Sequence, residues 1–175
     1  LNWNHCNRSG KFDLFKLKID ELQANHEKVV VFSQFTTMLG IMKKWAEKQG
    51  YTTFYLDGAT VKRREVVDSF ERSDEGVFFI SLKAGGVGLN IVSCQYAIIY
   101  DPWWNPAVEN QAADRIYRIG QAKNVFIYHL ITANSIEEKI EDLKAVKREI
   151  ADNLLFDTSR SDKLSIEELK RLIIE

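Results

Sequence analysis

The apolar positions fall into short unbroken runs, separated by longer stretches where charged and apolar residues recur at helical spacing. Val29-Val30-Val31-Phe32 and Val77-Phe78-Phe79-Ile80 are β-branched and aromatic, and read as strands buried on both faces. Tyr51 to Leu56, Tyr96-Ala97-Ile98-Ile99-Tyr100 and Val125-Phe126-Ile127-Tyr128 read as further strands. Residues 11–25 predict a helix after a break at Ser9-Gly10. Residues 37–48 carry Met38, Leu39, Ile41, Met42 and Trp45, the pattern of a helix packed on a sheet, and Gly50 stops it. Asp57-Gly58-Ala59-Thr60 predicts a turn, with Thr60 capping a helix that runs to Phe70. Residues 107–121 predict another helix, since Pro106 suits a first turn and Gly120 an end.

Strands alternating with helices imply parallel βαβ units with right-handed crossovers, hence an α/β fold. In such sheets the functional loops leave the carboxyl ends of the strands. That places Ser33-Gln34, Asp57-Gly58, the segment 83–90 and Asp101-Pro102 on one edge. Chain order does not specify strand order. The last fifth differs: Ser135-Ile136-Glu137-Glu138 is a capping box opening a long charged helix to about Leu155. Residues 157–162 read as a polar linker, and Ser165-Ile166-Glu167-Glu168 as a second box before a short terminal helix.

Composition narrows the classes. The 175 residues suit one core, and 45% hydrophobic residues are enough to fill it. A net charge of −1 excludes a globally basic protein, so nucleic acid would be met by a local patch. Cys6 and Cys94 lie far apart without metal-ligand spacing, and His5 beside Cys6 has no second half to a site. A reduced, intracellular protein is the expectation. No apolar run reaches membrane-spanning length. The start at Leu1 reads as a piece of something longer.

Two stretches carry candidate chemistry. In the helix over 107–121, Gln111, Asp114, Arg115 and Arg118 share one stripe, beside an apolar stripe of Val108, Ala112 and Ile116. The helix can bury one face and aim two guanidiniums outward, and guanidinium forks match phosphate oxygens. A surface helix with an Asp–Arg pair would account for the charges, but not for Gln111 or the abrupt Arg-Ile-Gly-Gln ending. Lys83-Ala84-Gly85-Gly86-Val87-Gly88-Leu89-Asn90 follows a strand, and its glycines let the backbone approach an anion closely. A tight strand-to-helix turn explains the same glycines equally well. Gly86-Val87-Gly88 hints at a dinucleotide fingerprint, but Ile91 stands where the third glycine belongs. The chain has no G-x-x-x-x-G-K-[ST] loop and no acidic pair placed after a strand to hold Mg²⁺. Arginines without a phosphate cradle fit the partner half of a nucleotide site.

Five motifs occur in order: Val31-Phe32-Ser33-Gln34-Phe35-Thr36, Leu56-Asp57-Gly58-Ala59-Thr60, Lys83 to Asn90, Asp101-Pro102-Trp103-Trp104-Asn105-Pro106, and Gln111 to Gln121. The set resembles the C-terminal RecA-like lobe of SWI/SNF-type DNA translocase ATPases, in helicase superfamily two, from about Ser9 to Leu155. The resemblance implies a RecA-like three-layer fold, a parallel sheet flanked by helices, over residues 1–134, with a C-terminal helical brace extension over 135–175. It implies ATP and Mg²⁺ as cofactors, held mainly by a first lobe outside this chain. Arg115 and Arg118 match the arginine fingers that reach across to that ATP. Gln111, Gly88 and Asn90 match positions lining the nucleotide cleft. Ser33, Gln34, Gly58, Arg63, Ser81 and Lys83 match positions touching the DNA backbone, where hydroxyls, amides and cations suit sequence-independent phosphate contacts.

Departures from the family pattern are small. Ala59 stands where serine is frequent, and Ile116-Tyr117 where Ala-His is common, so the surroundings of the fingers differ. Trp103-Trp104 could stack on a base, or pack the sheet edge with one ring buried and one half-exposed. Ile136, Ile140, Leu143, Val146 and Ile150 form a stripe along the brace-like helix that a partner surface should cover.

The expected function is therefore the second lobe of an ATP-driven translocase on double-stranded DNA. Its partners would be duplex DNA, the N-terminal RecA-like lobe and a DNA-bound protein cargo, and it would have no membrane role. By itself the fragment would be inactive. A compact C-terminus favours a prokaryotic, cytoplasmic or nucleoid setting; a eukaryotic source would make it nuclear. Two other readings stand beside this one: a dinucleotide-binding domain using the 85–90 glycine loop, and a catalytically inert helicase-like interaction module.

Overall fold

The computed structural model describes residues 9–82, 91–103, 105 and 124–156. The elements are α1 (Gly10–Ala24), β1 (Lys28–Ser33), α2 (Thr36–Lys48), β2 (Thr53–Leu56), α3 (Arg63–Arg72), β3 (Gly76–Ser81), β4 (Tyr96–Ile99), β5 (Phe126–His129) and α4 (Ile136–Phe156). The five strands form one sheet in the order β2-β3-β1-β4-β5. Every pairing is parallel, and β1 lies between β3 and β4, with Val29 opposite both Val77 and Tyr96.

The two strands read as doubly buried are so along their whole length: every residue of β1 and β3 is buried. Side chains alternate across the sheet, because successive Cβ atoms point to opposite faces. Val29, Val31, Val77, Phe79 and Ile98 meet Phe15, Ile19 and Leu22 of α1 and Leu39, Met42 and Ala46 of α2. Val30, Phe32, Phe78, Ile80 and Ile99 meet Val67 and Phe70 of α3 on the other face. The result is a RecA-like three-layer α/β fold. Right-handedness explains which helix goes where. The chain moves outward from β1 to β2 and back inward to β3, so crossovers of one hand must lie on opposite faces.

Gly50 stops α2 as expected, by a Schellman motif. Its φ is +86°, its N–H donates to Glu47 O at 3.0 Å, and Tyr51 N–H donates to Ala46 O at 3.1 Å. Gly76 has no side-chain alternative. Its φ is +138°, and a Cβ there would lie 2.9 Å from the Thr52 carbonyl oxygen. Lys28, 5% exposed, reaches under the sheet and donates to the Phe70 and Glu71 carbonyls at 2.9 Å each. A cation thus closes the C-terminal end of α3, where the helix dipole favours it. Burial lowers the pKa of that ammonium. Burial also pushes the Cys94 thiol up to about 12, which leaves it unreactive at neutral pH.

Thr60 does not cap a helix. Its hydroxyl accepts the Asp57 N–H at 3.0 Å and donates to Asp57 Oδ1 at 3.1 Å, while Ala59 N–H donates to the same carboxylate at 2.9 Å. Helix α3 begins only at Arg63, after an N-cap, Lys62, whose side chain makes no capping hydrogen bond. The hydroxyl was bound into its own turn before it could serve the helix.

Candidate functional site

All strands being parallel, the loops after β1, β2, β3 and β4 leave one edge of the sheet. The chain leaves β1 toward β2 on one side and β4 toward β5 on the other, so a crevice opens between the carboxyl ends of β1 and β4. Such a switch point is where open α/β sheets bind ligands.

Ser33 ends β1 and Ser81 ends β3; the two are in register and both are buried. The Ser33 hydroxyl donates to Asp101 Oδ2, from the residue pair that follows β4, and Gln34 N–H donates to the same oxygen at 3.2 Å. Phe35 N–H donates back to Ser33 Oγ at 3.0 Å. Asp101 is itself buried. Burial raises its pKa, while the Ser33 hydroxyl, the Lys11 charge and the Gln34 amide oppose that rise. Gln34 is half-buried and Phe35 exposed.

The turn after β2 is built around a second cation. Arg63 Nε donates to Thr60 O and its Nη2 to Gly58 O, both at 3.1 Å. The guanidinium spends two of its five N–H groups on the turn and is half-buried, with Gly58 exposed beside it. Lys62 and Arg64 flank it on the surface. Sequence reading passed over these two cations; the run Lys62-Arg63-Arg64 was the available signal.

A third cluster lies behind the crevice. Lys11 Nζ donates to both oxygens of Glu137, at 2.6 and 2.7 Å, and lies 4.9 Å from the centre of the Tyr100 ring. Thr132 N–H donates to Glu137 Oε2 at 2.8 Å. The amino ends of α1 and α4 are thereby joined. The box predicted at Ser135 is shifted. Its hydroxyl accepts the Glu137 N–H at 3.1 Å, and Glu138 reaches back to Asn134 N–H at 2.9 Å instead of to Ser135.

The family described as helicase conserved C-terminal domain matches residues 11–120. The chain belongs to that family. Among similar proteins, the human SWI/SNF-related matrix-associated actin-dependent regulator of chromatin subfamily A member 1 is 36% identical over 94% of this chain and 17% of its own length. The DNA repair and recombination protein RAD54-like of Drosophila mojavensis is 39% identical over 89% of this chain and 20% of its own. The solved C-terminal part of the Fun30 ATPase domain superposes with a TM-score of 0.74 at 35% identity, covering 96% of this chain and 50% of that one. The resemblance to the C-terminal lobe of SWI/SNF-type ATPases therefore holds. The chain spans only about a fifth or less of the curated relatives named here.

Of the residues singled out in this helicase domain, the structure brings Ser33 and Gln34 together at the crevice, with Ser81 beside Ser33. It places Gly58 and Arg63 in the neighbouring turn. Lys83, Gly88, Asn90, Gln111, Arg115 and Arg118 lie outside the described residues, as does Trp104. Trp103 is half-buried against the α3-side core. Along α4, Ile136 is 69% and Leu143 57% exposed, so no described element covers those two positions of the predicted stripe. Among the described residues, no group of three or more His, Cys, Asp or Glu could hold a metal, and no helix is long and apolar enough to cross a membrane.

The Lys11–Glu137 pair has a pH signature. Burial works against the Glu137 carboxylate, but the bonds from Lys11 and Thr132 outweigh it and leave the pKa below 4.5. A depressed carboxylate contributes its full stability above the unfolded pKa and loses it as pH falls through the folded one. The stability advantage of wild type over Glu137→Gln is therefore expected to be greatest near neutrality and to shrink on acidification as the pH falls through the folded-state pKa of Glu137, below the ordinary carboxylate range. The Glu137 charge also helps to raise the Asp101 pKa, so the substitution relieves Asp101 at neutral pH, and that relief offsets part of the difference. Urea unfolding of both proteins across that range checks this.

Proposed function

We propose that this chain is the second motor lobe of an ATP-dependent translocase on double-stranded DNA. The observation that carries the reading is the single edge shared by the Ser33–Asp101 crevice and the Arg63-braced turn, set on a RecA-like sheet. Gln34, Gly58, Arg63 and Lys83 would meet the DNA backbone, with Ser33 and Ser81 supporting the loops from behind. Gln111, Gly88 and Asn90 would line the nucleotide cleft, and Arg115 and Arg118 would serve as fingers.

Mg²⁺ does not fit the described residues. The buried carboxylate at the crevice, Asp101, is engaged by Ser33 and Gln34, and no metal-holding cluster accompanies it. Mg²⁺ and the phosphate cradle belong to a first lobe, and ATP would be shared between the two. The lobes would close on ATP and DNA together, with α4 returning toward the first lobe and covering Ile136 and Leu143 against it.

The test uses the chain by itself. It is expected to hydrolyse no ATP, with or without duplex DNA, because it carries fingers without a cradle. DNA-stimulated hydrolysis by this chain alone would overturn the half-site reading.

A further inference from the structure

Helix α2 starts without a side-chain cap: its N-cap is Phe35, which makes no such bond. The loop leaving β1 must be held by something else, since an uncapped loop between a strand and a helix has backbone freedom to lose. What holds it comes from another strand. Asp101 Oδ2 takes both the Ser33 hydroxyl and the Gln34 N–H, and Ser33 Oγ takes the Phe35 N–H. One carboxylate thus orients two successive residues of the loop directly and a third through Ser33. Its surroundings reinforce this. Asp101 is 7% exposed, and the Lys11 charge acts on it while Lys11 is gripped by Glu137 of α4.

We infer that Asp101 is a positioning residue for duplex-DNA binding, holding the 33–36 loop through Ser33 and Gln34 so that the Gln34 side chain is presented to the phosphate backbone. This rests on the reading of that edge as the DNA-binding face. Ser33 then acts as the link between Asp101 and the loop, and not as a direct phosphate donor, because its proton is committed to the carboxylate.

The experiment is binding of the complete protein to a fluorescent duplex, read by anisotropy without nucleotide at fixed salt. Asp101→Ala and Ser33→Ala are each expected to weaken binding by about tenfold, the loss of one well-placed charged contact. The double variant is expected to bind no more weakly than the poorer single one, because both changes break the same link. Asp101→Asn should stay within about threefold of wild type, since an amide oxygen can accept both donors. A purely structural role would not produce this combination of coupling and rescue. Unchanged binding in Asp101→Ala, or losses that multiply in the double variant, would overturn the inference alone. If Asp101→Ala does not fold, the cycle runs with Asp101→Asn. Any loss it shows must disappear in the Ser33→Ala background, and a loss that persists there overturns the inference. Wild-type protein that does not bind the duplex overturns the reading of the edge, and the inference with it.

Discussion

Replacing Arg118 or Arg115 with alanine in the complete protein is expected to lower ATP turnover by about 10³–10⁵-fold, the range known for arginine fingers. The reason is electrostatic. Charge spreads over the γ-phosphoryl oxygens as the bond to the leaving group breaks. A guanidinium brought up in a dry cleft stabilises that charge more than it stabilises bound ATP. Lysine at the same position would recover little, because it lacks the planar fork. Duplex binding should stay within a few-fold of wild type, since the residues proposed to meet DNA lie in other stretches of the chain. Steady-state hydrolysis at saturating DNA, beside an anisotropy titration, separates the two effects. Normal turnover in both variants would remove the finger assignment. Comparable loss of DNA binding would instead place these arginines on the DNA face.

The second large effect is on stability. Phe78 is fully buried in the centre of β3, its ring 4.9 Å from that of Phe70 and 6.1 Å from that of Phe54. Phe78→Ala should cost about 3–5 kcal/mol, from lost transfer energy and from a cavity its neighbours close only partly. The consequence reaches the site, because this cluster seats α3, and α3 carries Arg63 into the Gly58 turn. Val61→Ala is the control: Val61 is 93% exposed beside the same turn, and its loss should change stability by less than about 0.5 kcal/mol. Urea unfolding should show a lowered midpoint for Phe78→Ala with an unchanged slope. Equal midpoints for the two variants would mean that the three-ring cluster does not hold α3.

Much of the architecture was legible because it rests on local pattern. Val29 to Phe32 and Val77 to Ile80 could be read as doubly buried strands from their composition, and the structure buries both completely. Gly50 could be read as a stop, since few other residues tolerate its backbone angle. Thr60 could not be read correctly. Whether a hydroxyl caps a helix or closes its own turn depends on which acceptor is nearer, and Asp57 won. The serines at the strand ends were legible as edge residues but not as buried ones.

By itself, then, the sequence determined the alternation of strands and helices, the edge on which the loops gather and the ordered motifs that mark a helicase C-terminal domain. Each of these follows from residue type and spacing within a short window. Only the tertiary structure decided the order β2-β3-β1-β4-β5, the commitment of Ser33 to Asp101 across 68 residues, and the Lys11–Glu137 bond across 126. Those depend on which distant side chains the sheet brings within hydrogen-bond range once water is excluded, and no local periodicity encodes that.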